Sequence, residues 1–449
     1  MPSRRDLLVR GLSFGALATL GARDAMGATL TGKRSGPGSS GTLRGITGAH
    51  RRDDAIRHLG GLGDGYKMTL RPDGTQLVVV NDGPGWIDPP EAFFTTKLWT
   101  MSGGPDAPHF APLVGYPDLN RSARPEEAPH YYGHGVIQVG ERIHQFLSTL
   151  DRNEDRPRRW TGAKLIFSDD GGKTWKNQNG SSPVVWERWE DQSRDRLIFF
   201  GESGGCFSLL SILQHGPGQR PDRDGYIYLY GPNGSVDGLM NQLVLCRVTA
   251  DKLTDRKSYR FFAGRKSDGS ARWSADIAQR RPVHSFPRGW VNSKNLFPGD
   301  LVVESWLPSV VYNAPLGLYM MTNAGIGCGE DGTEFGKPSY FGVWVARTPW
   351  GQWQQIHEDA VWTPGGDTGA RAYAPQIAPG WMSPDGRSFW IVWADLNGMV
   401  AFGRDEAQLD TALEKARNPA EHAVIETTFL RRYLPGFSFN AQQVDLQFE

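Results

Sequence analysis

The sequence predicts an all-β protein, and three observations lead to that prediction. The 449 residues include 56 glycines and 30 prolines, which disfavour long helices because glycine costs backbone entropy and proline removes an N–H donor. Short runs rich in β-branched and aromatic residues alternate with turn clusters along the chain. Aromatic residues make up 11% of the composition, enough to fill a large core. Many short strands joined by tight turns fit these features best.

The predicted strands are the short runs in which apolar and β-branched residues dominate. They are Gln76–Val80, Gly135–Val139, Ile143–Leu147, Lys164–Phe167, Leu197–Phe200, Tyr226–Tyr230, Leu243–Val248, Val310–Tyr312, Gly317–Thr322, Gly342–Ala346 and Phe389–Trp393. One segment, Arg404–Lys415, places Ala, Leu, Glu and Asp at helical spacing. The sequence therefore predicts a β protein with one late helix.

The N-terminus has the features of a twin-arginine export signal. The run Ser3–Leu8 (SRRDLL) precedes an apolar stretch, Gly11–Gly21, and small residues follow up to Gly27. The alternative is a short amphipathic helix. A membrane-spanning anchor is not expected, because the apolar stretch is far below the roughly 20 residues that a spanning helix needs. We expect a signal peptide at residues 1–27 and a mature protein in the periplasm or outside the cell, without membrane insertion.

Residues 28–57 are rich in Gly and Ser and carry basic residues, which predicts a flexible leader before a folded domain at 58–449. Lys and Arg number 49, as do Asp and Glu. The resulting net charge of zero gives no global attraction to nucleic acid, so no nucleic-acid partner is expected.

Motifs for cofactors and metals are missing from the sequence. It has neither a GxGxxG nor a GxxxxGK[ST] motif, and no pair of cysteines is separated by two residues. Cys206, Cys246 and Cys328 are odd in number and widely spaced, which argues against a zinc cluster and against a disulfide framework. We expect no cofactor and no metal, although one disulfide is compatible with this spacing.

The most specific local motif is Ser168–Trp175 (SDDGGKTW), which matches the Asp-box pattern S-x-D-x-G-x-T-W of sialidase-like propellers. In such a turn the Asp side chain binds local amides, Gly supplies a positive φ, and Trp fills the gap between sheets. We therefore expect a structural Asp170. Weaker versions occur at Arg71–Gly74 and Ser383–Trp390. Repeated turns of this kind predict the blades of a β-propeller.

A series of short motifs in a fixed order resembles the DUF4185 family, whose members are similar to five-bladed propeller glycosidases and include endo-D-arabinanases. The motifs span about residues 60–400 and are Gly63–Tyr66, Pro72–Gly74, Val80–Asp82, the Asp-box, Tyr226–Gly231, Pro308–Tyr319, Ala346–Trp353 and Tyr373–Pro379. The resemblance implies a five-bladed propeller, whereas the chain length alone also allows six or seven blades.

The resemblance also implies a catalytic pair. In the family the first hairpin carries two aspartates linked to glycosidic chemistry, and they correspond here to Asp64 and Asp82. The chain departs from the family pattern at Val80–Gly83, where VNDG replaces F-G-D-T. This departure keeps the carboxylate but changes the pocket, so the sugar is left open.

The hairpin itself leads to the same two aspartates. Pro72-Asp73-Gly74 suits a three-residue loop in which Arg71 pairs with Thr75. The same register places Asp64 opposite Asp82, with Cβ atoms about 4.5–5.5 Å apart. Repulsion would raise the pKa of one carboxyl and leave an acid beside a base, as glycoside hydrolysis requires. This spacing favours retention, and the alternative is that both aspartates cap loops.

Five further residues near predicted strand ends are candidates for binding a substrate. Glu202 could add a third acidic group, with a solvated loop residue as the alternative. His130 and His134 stand before a strand, and substrate contact is favoured over a metal because glycines separate them. Arg371 and Tyr373 could donate hydrogen bonds to sugar hydroxyls, with a rim salt bridge as the alternative for the arginine.

These features predict a secreted glycoside hydrolase that acts on a polysaccharide or oligosaccharide, with an arabinan-type furanoside implied by the resemblance. A polysaccharide lyase is the second hypothesis, in which His130 or His134 works with Tyr226 or Tyr228 and an arginine on a uronate glycan. A non-catalytic carbohydrate-binding propeller is the third, because a fold does not settle an activity.

Overall fold

A computed structural model describes residues 43–119, 131–150, 160–187, 191–193, 196–235, 239–286, 307–327, 329 and 333–449. Within these ranges the protein is mostly β, with four sheets and two α-helices. The predicted signal peptide and the first part of the predicted leader lie outside the described residues. No helix in the described ranges combines the length and the apolar character needed to cross a bilayer.

The strands are short, as the abundance of turn residues predicts. In chain order they are β1 (Ile46–Arg51), β2 (Arg57–Asp64), β3 (Met68–Leu70), β4 (Gln76–Gly85), β5 (Thr96–Ser102), β6 (His109–Pro112), β7 (Tyr131–Val139), β8 (Arg142–Leu150), β9 (Trp160–Ser168), β10 (Lys176–Asn177), β11 (Ile198–Phe200), β12 (Ser211–Ile212), β13 (Gln214–His215), β14 (Ile227–Pro232), β15 (Gln242–Val248), β16 (Arg260–Arg265), β17 (Ala271–Ser274), β18 (His284–Ser285), β19 (Ser309–Asn313), β20 (Leu318–Gly325), β21 (Tyr340–Ala346), β22 (Gln354–Asp359), β23 (Ala372–Met382), β24 (Ser388–Asp395) and β25 (Ser438–Phe448). Each of the eleven predicted runs overlaps one of these strands.

The largest sheet joins the two ends of the folded chain. Its order is β23-β24-β25-β2-β4-β5-β6, with β1 also paired to β25 and β3 also paired to β4. The other sheets have the orders β10-β9-β8-β7 with β11 on β9, β12-β14-β15-β16-β17 with β18 on β15, and β13-β19-β20-β21-β22. Strand β25 lies between the last hairpin, β23-β24, and the first strands of the fold, β1 and β2, so it is the element that connects them.

The innermost strands contact one another in a circle. Strand β3 contacts β7, β7 contacts β12, β12 contacts β19, β19 contacts β23, and β23 returns to β3. At the centre lies a cavity of about 10 Å³, roughly the space that one water molecule needs. Its lining includes Lys67, His134, Ser211 and Gln376. We call this space the central channel.

The folded part begins earlier than the predicted boundary at residue 58. Strand β1 lies inside the segment predicted as a leader, and it pairs with β25 from Ile46 opposite Phe448 to Arg51 opposite Val444. Ile46 and Ala49 are buried, and the Arg51 guanidinium donates to Asp359 at 2.7 Å. The prediction of a flexible leader up to residue 57 is therefore wrong for residues 46–51, because apolar burial and strand pairing hold them in place.

The chain has two long helices in its described part where the sequence predicted one. Helix α1 (Met399–Leu413) overlaps the predicted segment Arg404–Lys415, and helix α2 (Pro419–Tyr433) follows it. Helix α2 begins with Asn418, whose side chain accepts a hydrogen bond from the Glu421 amide, and with Pro419 in the first turn. The buried face of α2 mixes polar and apolar residues, which hides the helical pattern in the sequence; it comprises Ala423, Glu426, Thr427 and Leu430.

The turn at Ser168–Trp175 is held by its own side chains. Asp170 Oδ1 accepts hydrogen bonds from Ser168 Oγ at 2.7 Å and from the Thr174 amide at 2.9 Å. Trp175 is buried, and its Nε1 donates to the Gly172 carbonyl at 3.1 Å. Hydrogen bonds from Thr174 and Ser168 lower the pKa of Asp170. Because these bonds remain inside the turn, they give Asp170 a structural role.

The fold is expected to be sensitive to acid because His134, His144 and His215 are buried and His284 is half-buried. Burial, the largest cause at each ring, lowers the pKa of His134 and of His144 to about 3, and that of His215 and of His284 to about 4. An unfolded chain protonates these rings near pH 6.5. Between about pH 6.5 and 4 the unfolded state therefore binds more protons, and the free energy of unfolding falls as pH falls.

We expect each of these rings to contribute about 1.4 kcal/mol of lost stability per pH unit in that window. Urea denaturation at pH 7, 6, 5 and 4.5 measures the slope. A His144→Phe variant, which removes one buried ring with no described hydrogen-bond partner, should have a flatter slope, and the exposed His109→Phe is its control. A stability that does not change between pH 6.5 and 4.5 would contradict this expectation.

Candidate active site

The first hairpin has the predicted register near its loop. The Arg71 amide donates to the Thr75 carbonyl at 2.8 Å, and Asp73 Oδ1 accepts from the Thr75 amide at 2.9 Å. Beyond the loop, Met68 lies opposite Val78 and Thr69 lies opposite Leu77. The sequence prediction of a three-residue loop that pairs Arg71 with Thr75 is therefore confirmed.

The register changes before it reaches the aspartates. Asp64 lies opposite Asn81, so the predicted direct opposition of Asp64 and Asp82 is wrong. The chain has four steps from Asp64 to Met68 but three from Val78 to Asn81, so one extra residue forms an irregularity on the first side of the hairpin. Gly65 permits this irregularity because its φ is 80°, a value that favours glycine. A Cβ at this position would also lie only 2.5 Å from the side-chain nitrogen Nδ2 of Asn81.

Asp82 interrupts the regular alternation of side chains along β4. Its φ is 52°, a left-handed value that costs energy in a residue other than glycine and is most common at functional sites. The next residue, Gly83, lies so close to β2 that a Cβ would come within 2.1 Å of the Leu62 carbonyl oxygen. The tight contact of the two strands and the irregular backbone replace the simple pairing that the sequence suggested.

Both aspartates lie close enough to Tyr373 for their charges to act on its phenol. Burial raises the pKa of Tyr373 well above its usual range, and the charges of Asp64, Glu334 and Asp82 raise it further, in that order. The three carboxylates therefore lie within electrostatic reach of one phenol. Asp64, Asp82 and Tyr373 are 7%, 3% and 7% exposed. The predicted role of Tyr373, a hydrogen bond to a sugar hydroxyl, stays a prediction.

The backbone around this group is unusual at several points. Ala374 and Phe335, which flank Tyr373 and Glu334 in the chain, have φ values of 50° and 55°. Strand β23 also breaks its register between Tyr373 and Gln376. Five described residues other than glycine have a positive φ. Three of them, Asp82, Phe335 and Ala374, belong to or directly follow Tyr373 and the residues whose charges act on it. Such concentration of backbone strain is typical of an active site.

Glu334 is a residue of the site that sequence reasoning missed. Both of its carboxyl oxygens are shielded from solvent and have no hydrogen-bond partner among the described residues. Burial raises the pKa of this carboxyl well above its usual range. Glu334 follows strand β20 in a segment rich in Gly and acidic residues, GEDGTEFG at 329–336, and that composition at a strand end is the signal that could have found it.

His134 lies in the central channel. Its Nδ1 is 2.8 Å from Ser148 Oγ, and burial, with the charge of Lys67, lowers its pKa. Lys67 Nζ donates to Ser211 Oγ and to the Pro308 carbonyl, both at 2.8 Å, and burial lowers its pKa too. His134 connects β7 to β8, and Lys67 connects the turn before β3 to β12 and to the residue before β19, so their described contacts are structural. His130 lies outside the described residues.

Arg371 binds backbone carbonyls. Its Nε donates to the Phe335 carbonyl at 2.6 Å, and its Nη1 donates to the carbonyls of Thr368, Gly369 and Ala370 at 2.9–3.1 Å. Arg371 thus fixes the residue that follows Glu334. Its predicted role in substrate binding stays a prediction.

Glu202 forms an ion pair with Arg256, whose Nη2 lies 2.5 Å from Glu202 Oε1. The same guanidinium packs over the ring of Phe200 at 4.6 Å. This pairing gives Glu202 a structural partner, and the described contacts do not bring it to Asp64 or Asp82. Its predicted role in substrate binding stays a prediction.

Metal ligands do not cluster in the described ranges: no group of three His, Cys, Asp or Glu side chains there is arranged to hold an ion. Cys206 and Cys246 are both buried in the core, and Cys328 lies outside the described residues. The side chains whose charges act on Tyr373, together with that phenol, offer carboxyl groups and a hydroxyl in a buried setting, where proton transfer and charge stabilisation are strong.

No protein-family model matches the chain, and no curated protein matches its sequence. Among solved structures it is similar to a GH62 alpha-L-arabinofuranosidase catalytic domain from Coprinopsis cinerea, with 9% identity, a TM-score of 0.41 and coverage of 90% of this chain and 98% of that one. It is also similar to an endo-arabinase from Bacteroides thetaiotaomicron, with 11% identity, a TM-score of 0.38 and coverage of 74% of this chain and 89% of that one. A third similar structure is a xylan beta-1,4-xylosidase from Bacillus halodurans, with 8% identity and a TM-score of 0.41. The similarity covers 76% of this chain and 50% of that one, so the chain spans about half of that protein. These identities and TM-scores are too low to give the chain a family or an activity.

Proposed function

We propose that this protein is a secreted glycoside hydrolase in which Asp64 and Asp82 are the catalytic carboxylates. The observation that carries the proposal is that both carboxylates are buried and lie within electrostatic reach of the Tyr373 phenol. Hydrolysis of a glycosidic bond needs two carboxyl groups on either side of the scissile bond, one to donate a proton and one to act as base or nucleophile. The order of motifs that resembles DUF4185 supports the same pair and an arabinan-type furanoside as substrate.

The stereochemical outcome is left to measurement. The expectation of retention depended on direct opposition of the two aspartates, and Asp64 lies opposite Asn81 instead. Proton NMR of the first-formed anomer distinguishes retention from inversion.

A five-bladed propeller is part of the proposal. Five contacts close a circle of inner strands, from β3 through β7, β12, β19 and β23 back to β3. The nine-stranded sheet then supplies two blades, β2 to β6 and β23 to β25 with β1, and each remaining sheet supplies one. Export by the twin-arginine route rests on Ser3–Leu8 and the apolar stretch after it.

The lyase hypothesis is less well supported. His134 is hydrogen-bonded to Ser148, the Tyr228 hydroxyl donates to Asp224 at 2.6 Å, and the ring of Tyr226 lies 3.9 Å from the Arg247 guanidinium carbon. No described contact joins the histidine to either tyrosine. A proton abstraction that needs both groups on one sugar has no support from these positions.

Digestion of a glycan panel tests the proposal. The mature protein is incubated with arabinans, xylans, other neutral glycans and polyuronates, and the products are followed by reducing-end assay and by absorbance at the wavelength of unsaturated uronates. New reducing ends without that absorbance support a hydrolase. Unsaturated products would establish the lyase, and binding without turnover would establish a non-catalytic propeller.

A further inference from the structure

We propose that Asn81 is a positioning residue of this site: its side chain joins strand β4 to strand β7 and so holds Asp64 and Asp82 in fixed positions. The proposal rests on the hydrolase function proposed above, because it concerns the same two carboxylates. It goes beyond the resemblance to DUF4185, since the family pattern F-G-D-T has glycine where this chain has Asn81.

Asn81 is a neighbour of both aspartates, of one across the sheet and of the other along the chain. It lies opposite Asp64 in the pairing of β2 with β4, and Asp82 is the next residue. On its other side it lies opposite Thr96 of β5. A shift of Asn81 would therefore move both carboxylates, one through the strand pairing and one through the peptide bond.

The Asn81 side chain binds the backbone of the neighbouring sheet at two points. Its Nδ2 donates to the Gly133 carbonyl at 3.2 Å, and its Oδ1 accepts from the Gly133 amide at 3.1 Å. Thr96 Oγ1 accepts from the same amide at 3.2 Å. Asn81 is 2% exposed, so bulk water does not compete for these bonds. One residue of β7 thus uses both ends of the Asn81 amide, and we call the two residues the Asn81–Gly133 pair.

The backbone around the Asn81–Gly133 pair leaves room for the asparagine. At Gly65 a Cβ would lie 2.5 Å from Asn81 Nδ2, and at Gly133 a Cβ would lie 2.3 Å from Gln145 Nε2. The pairing of β7 with β8 also gains one residue between Gly133 and Gly135. Such close approach requires glycine. The chain therefore has glycine at two positions that the buried Asn81 side chain adjoins.

The Asn81–Gly133 pair bears on the strained backbone of Asp82. A left-handed residue other than glycine persists only where its surroundings fix it. The Asp82 amide donates to the Thr95 carbonyl at 3.2 Å, and the Gly83 amide donates to the Phe94 carbonyl at 3.1 Å. These bonds hold Asp82 from the segment before β5, and Asn81 holds it from β7. A catalytic group must stay within about 0.5 Å of its productive position, so this support matters for the chemistry.

Asn81→Ala is expected to lower kcat for glycan cleavage about 10²-fold, the effect of displacing a reacting group by about 1 Å. KM should stay nearly unchanged, because Gly133 occupies both ends of the Asn81 amide and neither end is available to a sugar. Steady-state kinetics on a glycan that the panel identifies as a substrate measures both constants. A role limited to stability would change neither constant in the folded variant.

Asn313→Ala is the matched control. Asn313 is also fully buried and also joins two sheets, since its Nδ2 donates to the Gly386 carbonyl at 2.8 Å. A Cβ at Gly386 would lie 2.2 Å from Asn313 Oδ1, as close an approach as at Gly65. Gly386 follows the last residue of β23, so the length of that strand separates it from Tyr373. Both variants should lower the urea midpoint, but only Asn81→Ala should lower kcat.

Thr96→Val is a milder variant that keeps the test open if Asn81→Ala does not fold. It removes one acceptor of the Gly133 amide and retains Asn81. We expect a lower kcat with an unchanged KM, in the same direction as for Asn81→Ala.

The possible results separate the two proposals. A loss of kcat confined to Asn81→Ala and Thr96→Val supports the positioning role. Equal losses of kcat in Asn81→Ala and Asn313→Ala, a loss that appears in KM instead, or an unchanged kcat in the folded Asn81 or Thr96 variant would overturn that role while the hydrolase proposal stands. If the unchanged protein cleaves no glycan of the panel, the proposed function fails and the positioning role fails with it.

Discussion

Asp82→Asn and Asp64→Asn are each expected to lower kcat/KM for glycan cleavage about 10²–10⁴-fold, the range seen when a general acid or base is removed. Asparagine keeps the shape of aspartate but can neither accept the proton of a water molecule nor attack an anomeric carbon. It also tolerates the left-handed φ of 52° at position 82, because Asn and Asp are the side chains most often found in that conformation. The fold should therefore survive while the chemistry is lost.

Asp73→Asn is the matched control for these two variants. Asp73 belongs to the same hairpin but lies in its exposed loop, where its carboxylate accepts hydrogen bonds from the amide and the hydroxyl of Thr75. Reducing-end release measures the activity, and circular dichroism with the urea midpoint measures the fold. Activity retained in both Asp64→Asn and Asp82→Asn would exclude the aspartate pair as the catalytic groups.

Removing the residues after 435 is expected to abolish folding. The deletion removes β25, which pairs with β24 on one side and with β1 and β2 on the other. Its loss would leave the edges of both halves unpaired and would expose buried residues that pack against it, such as Tyr66, whose ring contacts that of Phe439. Limited proteolysis and the yield of soluble protein measure the effect. Deletion of Glu449 alone is the control, since it removes one hydrogen bond, to the Gly45 carbonyl.

A single substitution in the same strand gives a graded version of this test. The Phe439 ring lies 4.8 Å from that of Tyr66 and 5.3 Å from that of Phe110, so it packs against the first strands of the fold. Phe439→Ala should cost about 3–5 kcal/mol of unfolding free energy. A truncated protein that resists protease, together with a Phe439→Ala variant of unchanged urea midpoint, would show that β25 is not needed for the fold.

The strands and the turns were largely readable from the sequence because the information is local. Turn residues such as Pro72 and Gly74 set their own backbone angles, and apolar runs such as Leu243–Val248 mark buried strands wherever they pair. The second helix was missed because its buried face includes Glu426 and Thr427. The strand at residues 46–51 was missed because it depends on a partner, β25, almost 400 residues away.

The candidate site was only partly readable for the same reason. The sequence and its resemblance pointed to Asp64 and Asp82 as a catalytic pair, and both carboxylates lie within electrostatic reach of Tyr373. The sequence did not point to Glu334, whose neighbourhood is made by contacts between distant segments. The bonds from the Arg371 guanidinium to nearby backbone carbonyls were not readable from the sequence either.

The amino-acid sequence by itself determined the mainly β fold class, the position of the strands and the three-residue loop at Pro72-Asp73-Gly74, and it led to the proposal that Asp64 and Asp82 are the catalytic pair. Tertiary structure alone decided how those aspartates meet: the hairpin keeps its register to Met68 and Val78, then gains one residue, so that Asp64 faces Asn81. The physical reason is that a turn fixes register only as far as the ladder stays regular. Beyond that point tertiary contacts, such as those between β23 and β3, bear on the backbone, and no local pattern in the sequence records them.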